Sequence, residues 1–248
     1  MIADILRFNA RSRELLATLD DSLTLGEYLD RGGYSRQFVE HYVVPMGRAI
    51  WSAEASTMLG FPARFFVDFF DRHGFLSVDE RPVWQTVRGG SREYVRALLA
   101  AARIELRLAT PVETIRRLPD GVRIRTRRGD VDGYDHVFLA CHSDQALRLL
   151  EAPTAAETEV LRAFPYASNE VILHTDPQLL PRRTLARAAW NYHLLADPQE
   201  PVAVTYDMNV LQALEAPVRF LVTLNNGAAI DERQVLRLVA ALELGLGL

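Results

Sequence analysis

A mixed α+β fold is predicted for this chain by three observations. Apolar positions over residues 1–80 recur at helical spacing. Residues 104–140 switch to the two-residue alternation of strands, and the second half mixes short strands with loops. With 248 residues, 49% of them hydrophobic and 24% charged, the chain can bury enough surface to offset its ordering entropy, so global disorder is excluded.

The elements follow in order. Leu15, Leu16 and Leu19 keep helical spacing. Thr24, with Glu27 three residues on, reads as a capping box, and Gly32-Gly33 ends the helix it opens. Ser35 starts another, with Phe38, Val39 and Tyr42 as its apolar stripe, and Pro45 and Gly47 are expected to break or bend it. Ser52, Ala55 and Ser56 open a short helix. Pro62 opens the next, in which Phe65, Phe66, Phe69 and Phe70 share a face. Gly89-Gly90 leads to Ser91, a natural N-cap, and to a stripe of Tyr94, Val95, Leu98 and Leu99 expected to be buried.

Strands are then expected at 104–106 and 112–118. A Pro119-Asp120-Gly121 turn follows, then a strictly alternating strand at 122–127 and a buried apolar strand at 136–140. Ser143 or Asp144 caps a helix to Leu150. Strand candidates run over 170–174, 188–195, 202–206 and 220–224. Asp231 is expected to cap a last helix from Glu232 to about Leu242.

Composition excludes several chemistries. All 28 basic residues other than histidine are arginine, so no lysine Schiff base can form. A net charge of −4 gives no general attraction to nucleic acid or anionic lipid. No apolar run is long enough to span a membrane, and the first residues lack a signal-peptide core. The single Cys141 forbids an internal disulfide and makes a reducing, cytoplasmic location the default. The six histidines show no metal-ligand spacing, and adjacent Cys141 and His142 point to opposite faces of a strand, so no metal site is expected. No nucleotide-binding glycine loop occurs: Gly245 and Gly247 make a bare Gly-x-Gly.

Two aromatic groups admit two readings each. Phe66 and Phe70, with their neighbours, are either core or one wall of an apolar substrate cavity. Trp190 and Tyr192 are either packed or a ligand wall, since amphipathic rings suit both. Arg123, Arg125 and Arg127 read as the solvated side of a strand. No acid, base or nucleophile is assignable by spacing.

One stretch is more specific. Gly89-Gly90-Ser91 before a helix, Val112 to Ile115 in a strand, Asp120-Gly121 in a turn and an apolar segment from His136 to Ala140 come in an order that resembles the middle of flavin-containing amine-oxidoreductase-like proteins. The flanks VVPMGRAIWSAEASTMLGFPARFFVDFFDRHGFL, NEVILHTDPQLLP, AAWNYHLL and VTYDMNVLQ are similar to a bacterial branch of predicted NAD/FAD-binding proteins, and the resemblance covers nearly all of residues 1–238.

The resemblance implies an FAD-dependent oxidoreductase transferring hydride between a substrate C–H bond and the flavin. Its fold would be an α/β family member in truncated form. A helical and β-sheet substrate domain (1–83 and 151–227) would accompany an incomplete Rossmann-like FAD-binding domain (84–150), with a helix and tail over 228–248. It places Val112, Ala140, Gly89 and Gly90 on the flavin side. It also implies a small-molecule, fatty-acyl-like substrate. The family's leading glycine motif is missing, as is its closing flavin segment, so Met1 looks like an internal methionine of a longer protein. Two other readings stay open: a non-catalytic remnant that self-associates through uncovered apolar surface, and a lipid-binding module without cofactor.

Overall fold

The computed structural model describes all residues except 19, 52, 80–82, 84, 165, 196–200 and 245–248, and the side chains of 167 and 239–244 lie outside the description as well. Leu19, Ser52, Gly245 and Gly247 therefore fall outside the described residues. The chain forms two compact units, Met1–Ser91 with Tyr166–Leu248, and Arg92–Pro165.

The first unit opens with helices α1 (Ile2–Arg11), α2 (Leu25–Arg31), α3 (Arg36–Phe38), α4 (Val44–Trp51), α5 (Ala55–Leu59) and α6 (Ala63–Arg72). Both bonds of the Thr24–Glu27 capping box are made, at 3.1 and 3.2 Å, and Ser35 accepts from the Phe38 N–H. Gly32 ends α2, with Gly33 at φ +58°. Pro45 and Gly47, expected to break or bend the helix, do not break it. A π-helical turn, Val39–Val43, joins α3 to α4. Proline lacks an N–H and its ring clashes with the carbonyl four residues back, and a widened turn just before it relieves both problems.

These helices enclose one aromatic core. Phe8, Phe38, Phe61, Phe66 and Phe70 are all at most 1% exposed, with Leu25, Leu29 and Met58 among them. Burying one such side chain stabilises the fold by about 1.5–3 kcal/mol.

The second unit holds α7 (Arg92–Ala101), a three-stranded antiparallel sheet of β1 (Val112–Leu118), β2 (Gly121–Thr126) and β3 (Val131–Tyr134), and helices α8 (Ser143–Leu149) and α9 (Ala155–Arg162). The β1–β2 hairpin turns at Pro119-Asp120, and Gly121 (φ +156°) lies where a Cβ would meet the Tyr134 carbonyl at 2.6 Å. Arg123 and Arg125 are exposed as expected.

Four expectations are corrected in this unit. Residues 104–106 form no strand, and Ile104 and Leu106 are exposed. The α7 stripe is not buried: Tyr94, Val95 and Leu98 are 51%, 43% and 62% exposed, because no described element of the unit packs on it. Residues 136–140 join no sheet, and Phe138 is 96% exposed. A strand needs a neighbour to take its N–H and C=O groups, and no described strand lies beside this one. His142, rather than Ser143 or Asp144, occupies the N-cap of α8. An unanticipated helix, α9, is opened by a second capping box, Thr154 with Glu157.

The first unit then resumes with β4 (Tyr166–His174), β5 (Trp190–His193), β6 (Ala203–Asp207), the short α10 (Met208–Leu211), β7 (Leu221–Leu224) and β8 (Val235–Leu244). The strands form an antiparallel sheet in the order β5-β6-β7-β4-β8. Here the expected C-terminal helix is corrected. Asp231 does cap a turn, but only a 3-10 turn over Glu232–Gln234, after which the chain runs as β8. Ladder pairing with β4, from Tyr166 opposite Leu244 to His174 opposite Val235, satisfies that backbone and overrides its helical spacing. No helix among the described residues is long and apolar enough to cross a membrane.

Candidate functional site

Strand registers sort the five-stranded sheet into two faces. Trp190 pairs with Tyr206, Tyr192 with Val204, Tyr206 with Val222 and Val204 with Leu224. Because side chains alternate, these residues share one face with Val171 and Leu173 of β4. These paired residues are aromatic or branched apolar. Trp190 is 48% exposed and stands edge-on to Tyr206, with ring centroids 5.3 Å apart.

Tyr192 is half-buried and hydrogen-bonded to Arg48 of α4. Burial pushes its phenol up, while the Arg48 charge and hydrogen bond pull it down. Arg48 is itself buried, and its Nε donates to the Ala53 carbonyl at 3.1 Å. One turn after Arg48, Trp51 lies against Phe61, Phe66 and Phe69, at 5.1, 5.6 and 4.8 Å between centroids. A continuous path therefore runs from the aromatic core through α4 to the Tyr192 face of the sheet. A surface of this kind can hold an apolar body by contact and an acceptor group by the phenol and guanidinium.

The structure divides the four sequence-nominated aromatics. Trp190 and Tyr192 lie on one face of β5. Phe66 and Phe70 stack at 4.2 Å inside the helical core, 0% and 1% exposed, with no surface turned to solvent. Arg48 and Tyr206 went unnoticed in the sequence. Tyr206 had a signal, since alternation over 202–206 places it with Val204. Arg48, in the middle of a helix, had none.

The cofactor candidates fall in both units. Gly89 and Gly90 have φ +82° and +87°, and a Cβ at Gly90 would meet nothing within 4 Å. This open turn precedes α7 in the chain. In the second unit, Val112 opens β1 at a register shift and is half-buried, while Ala140 is exposed in an unpaired segment.

The family model described as flavin containing amine oxidoreductase matches residues 5–208. No curated protein matches the chain by sequence. Among solved structures, a putrescine oxidase variant aligns with a TM-score of 0.61 at 14% identity, over 90% of this chain and 51% of its own. Cyclohexylamine oxidase from Brevibacterium oxydans aligns at 0.62 and 13% identity, over 98% of this chain and 61% of its own. The CLA-producing fatty acid isomerase from P. acnes aligns at 0.57 and 16% identity, over 89% and 52%. The chain thus spans about half the length of the first solved structures it matches.

Proposed function

The chain belongs to the family of flavin containing amine oxidoreductases, and from that membership we propose that it carries the substrate-facing part of an FAD-dependent oxidoreductase acting on an apolar, fatty-acyl-like molecule. Family membership implies FAD, which when bound accepts or returns hydride. By the family resemblance, Gly89 and Gly90 in the first unit, and Val112 and Ala140 in the second, are each candidate cofactor contacts. In this reading residues 84–150 serve the flavin, and the helical core and five-stranded sheet serve the substrate.

The observation that carries the substrate class is the pairing of Tyr192 with Arg48 beside Trp190. A buried guanidinium repels a cationic amine and attracts a carboxylate. The apolar residues around it suit a hydrocarbon chain, and Phe66 and Phe70 stiffen that wall from within the core. The fatty acid isomerase among the structural neighbours agrees with this choice. This sequence has no lysine, so this region supplies no lysine amine to a flavin site. We place the protein in the cytoplasm, where its one cysteine stays reduced.

Titration with oleate and with a diamine, followed by tryptophan fluorescence, tests the substrate class. Oleate should bind and the diamine should not, and Tyr192→Phe should weaken oleate binding about tenfold. Preferential diamine binding overturns the reading. For the cofactor, the chain is loaded with FAD, desalted and examined by visible absorption. A retained flavin band supports the oxidoreductase. A colourless protein that still binds oleate supports a lipid-binding module instead.

A second reading rests on α7, whose apolar stripe is exposed. That face would drive self-association. Sedimentation of the wild type against Leu98→Glu decides it: the variant should be smaller in solution if the stripe is the contact.

A further inference from the structure

The other face of the five-stranded sheet carries His174, Thr223, Thr205 and His193, one from each of β4, β7, β6 and β5. His174 and Thr205 are fully buried, Thr223 is 1% exposed, and His193 is half-buried at the sheet edge. Their polar atoms form a file across the strands. His174 Nε2 lies 2.8 Å from Thr223 Oγ1, Thr223 Oγ1 2.8 Å from Thr205 Oγ1, and Thr205 Oγ1 2.8 Å from His193 Nε2.

Counting protons gives the file a direction. The Asp176 backbone N–H donates to His174 Nδ1 at 3.2 Å. That nitrogen is therefore bare, and neutral His174 keeps its proton on Nε2. His174 Nε2–H donates to Thr223. The single Thr223 hydroxyl proton then goes to Thr205, and that of Thr205 goes to His193 Nε2. His193 accepts at Nε2, so its own proton sits on Nδ1. Reversing the file would strip His174 Nε2 while its Nδ1 is already an acceptor, leaving an imidazolate. A second proton on His193 must then face the Thr205 proton, and one buried hydrogen bond is lost.

We propose that this file is a proton-gated latch: neutral His193 fastens edge strand β5 to the sheet, and a proton on His193 releases it. This goes beyond the functional reading above and does not depend on it. The release acts on the strand that carries Trp190 and Tyr192.

The charged groups around the file are already engaged. Asp176, beside His174, accepts from the N–H groups of Gln178 and Asp231, at 3.0 and 2.9 Å. Asp207, on the same face of β6, is held by Arg219 and by the N–H groups of Asn209 and Val210. Asp231 is paired with Arg233, and Arg187 donates to the Pro181 carbonyl. Tyr192 and Arg48 lie on the opposite face. Burial lowers the proton affinity of His193 below the ordinary 6.5. It does the same to His174, against the opposing charge of Asp176.

The test uses the full chain with histidine labelled at both ring nitrogens, titrated by NMR from about pH 8 to about pH 5. Two-bond correlations should show His174 protonated at Nε2 and His193 at Nδ1. As His193 takes its proton, exchange of the Asn191 and His193 amides, which face β6, should accelerate about tenfold after correction for intrinsic rates. Thr223→Ser keeps a hydroxyl and should preserve both tautomers. Thr205→Val removes the middle link and should decouple β5 exchange from His193 titration. An Nε2–H tautomer at His193 in the wild type overturns the proposal. So does amide protection in β5 that stays constant through the His193 titration. Both readouts stand on the wild type, whether or not Thr205→Val folds.

Discussion

A Cβ placed on Gly47 would come within 3.2 Å of the Phe66 ring, so the α4 backbone at Gly47 lies directly against that side chain of α6. The same Cβ would sit 2.7 Å from the Met58 methyl, which is flexible and can move aside. Phe66 cannot, because it is stacked on Phe70 and fully buried. Gly47→Ala gains about 1 kcal/mol of helix propensity and is expected to lose about 1–3 kcal/mol to overpacking. Denaturant unfolding should show a lower midpoint than wild type, and an unchanged or higher midpoint refutes the close approach.

Neighbouring phenylalanines on α6 should differ sharply. Phe66→Ala empties a buried, stacked site and is expected to cost about 3–5 kcal/mol. Phe65 is 49% exposed, so Phe65→Ala should cost less than about 1.5 kcal/mol, chiefly its edge contact with Phe61. Equal losses of thermal stability would contradict the placement of these two rings.

The link between Tyr192 and Arg48 predicts a spectroscopic shift. Arg48→Met removes a nearby cation and a hydrogen bond that favour the phenolate, so the Tyr192 phenol should titrate still higher. Ultraviolet titration against Tyr192→Phe isolates that phenol. A downward shift in Arg48→Met would mean that the guanidinium does not reach it.

In the second unit, Thr154→Ala removes the α9 cap and should cost about 1 kcal/mol of local stability, read by amide exchange over Ala155–Arg162. Glu157 belongs to the same box, and its hydrogen bond with Arg117 holds its carboxyl at about 2 against an ordinary 4.5. A lowered carboxylate stabilises above its unfolded value, so this contribution is full above 4.5 and fades as pH falls through about 2. Arg117→Ala should return Glu157 towards 4.5 in an NMR titration.

The helical part was largely legible, because its signals are local. Thr24-x-x-Glu27 and Ser35 cap helices through neighbours three residues away, and the α6 phenylalanines repeat within one turn. Thr154-x-x-Glu157 carried the same signal and was overlooked. Pairing decided the rest. Val235–Leu244 has helical spacing but becomes a strand because β4 offers an edge. Residues 136–140 have strand composition but no described partner. The site was half legible: Trp190 and Tyr192 alternate with Asn191 on one strand, while Arg48 reaches them only through the tertiary fold. The histidine–threonine file left no motif, since its members come from separate strands.

Strand β4 pairs with β7 on one side and β8 on the other, and both follow it in the chain. During translation Tyr166–His174 is made first, then waits with both edges bare until Leu221–Leu224 and Val235–Leu244 emerge. At roughly 5–20 residues per second that wait lasts seconds, far longer than local collapse. The β4–β8 ladder, the longest of this sheet, is therefore the later of the two ladders of β4 to close.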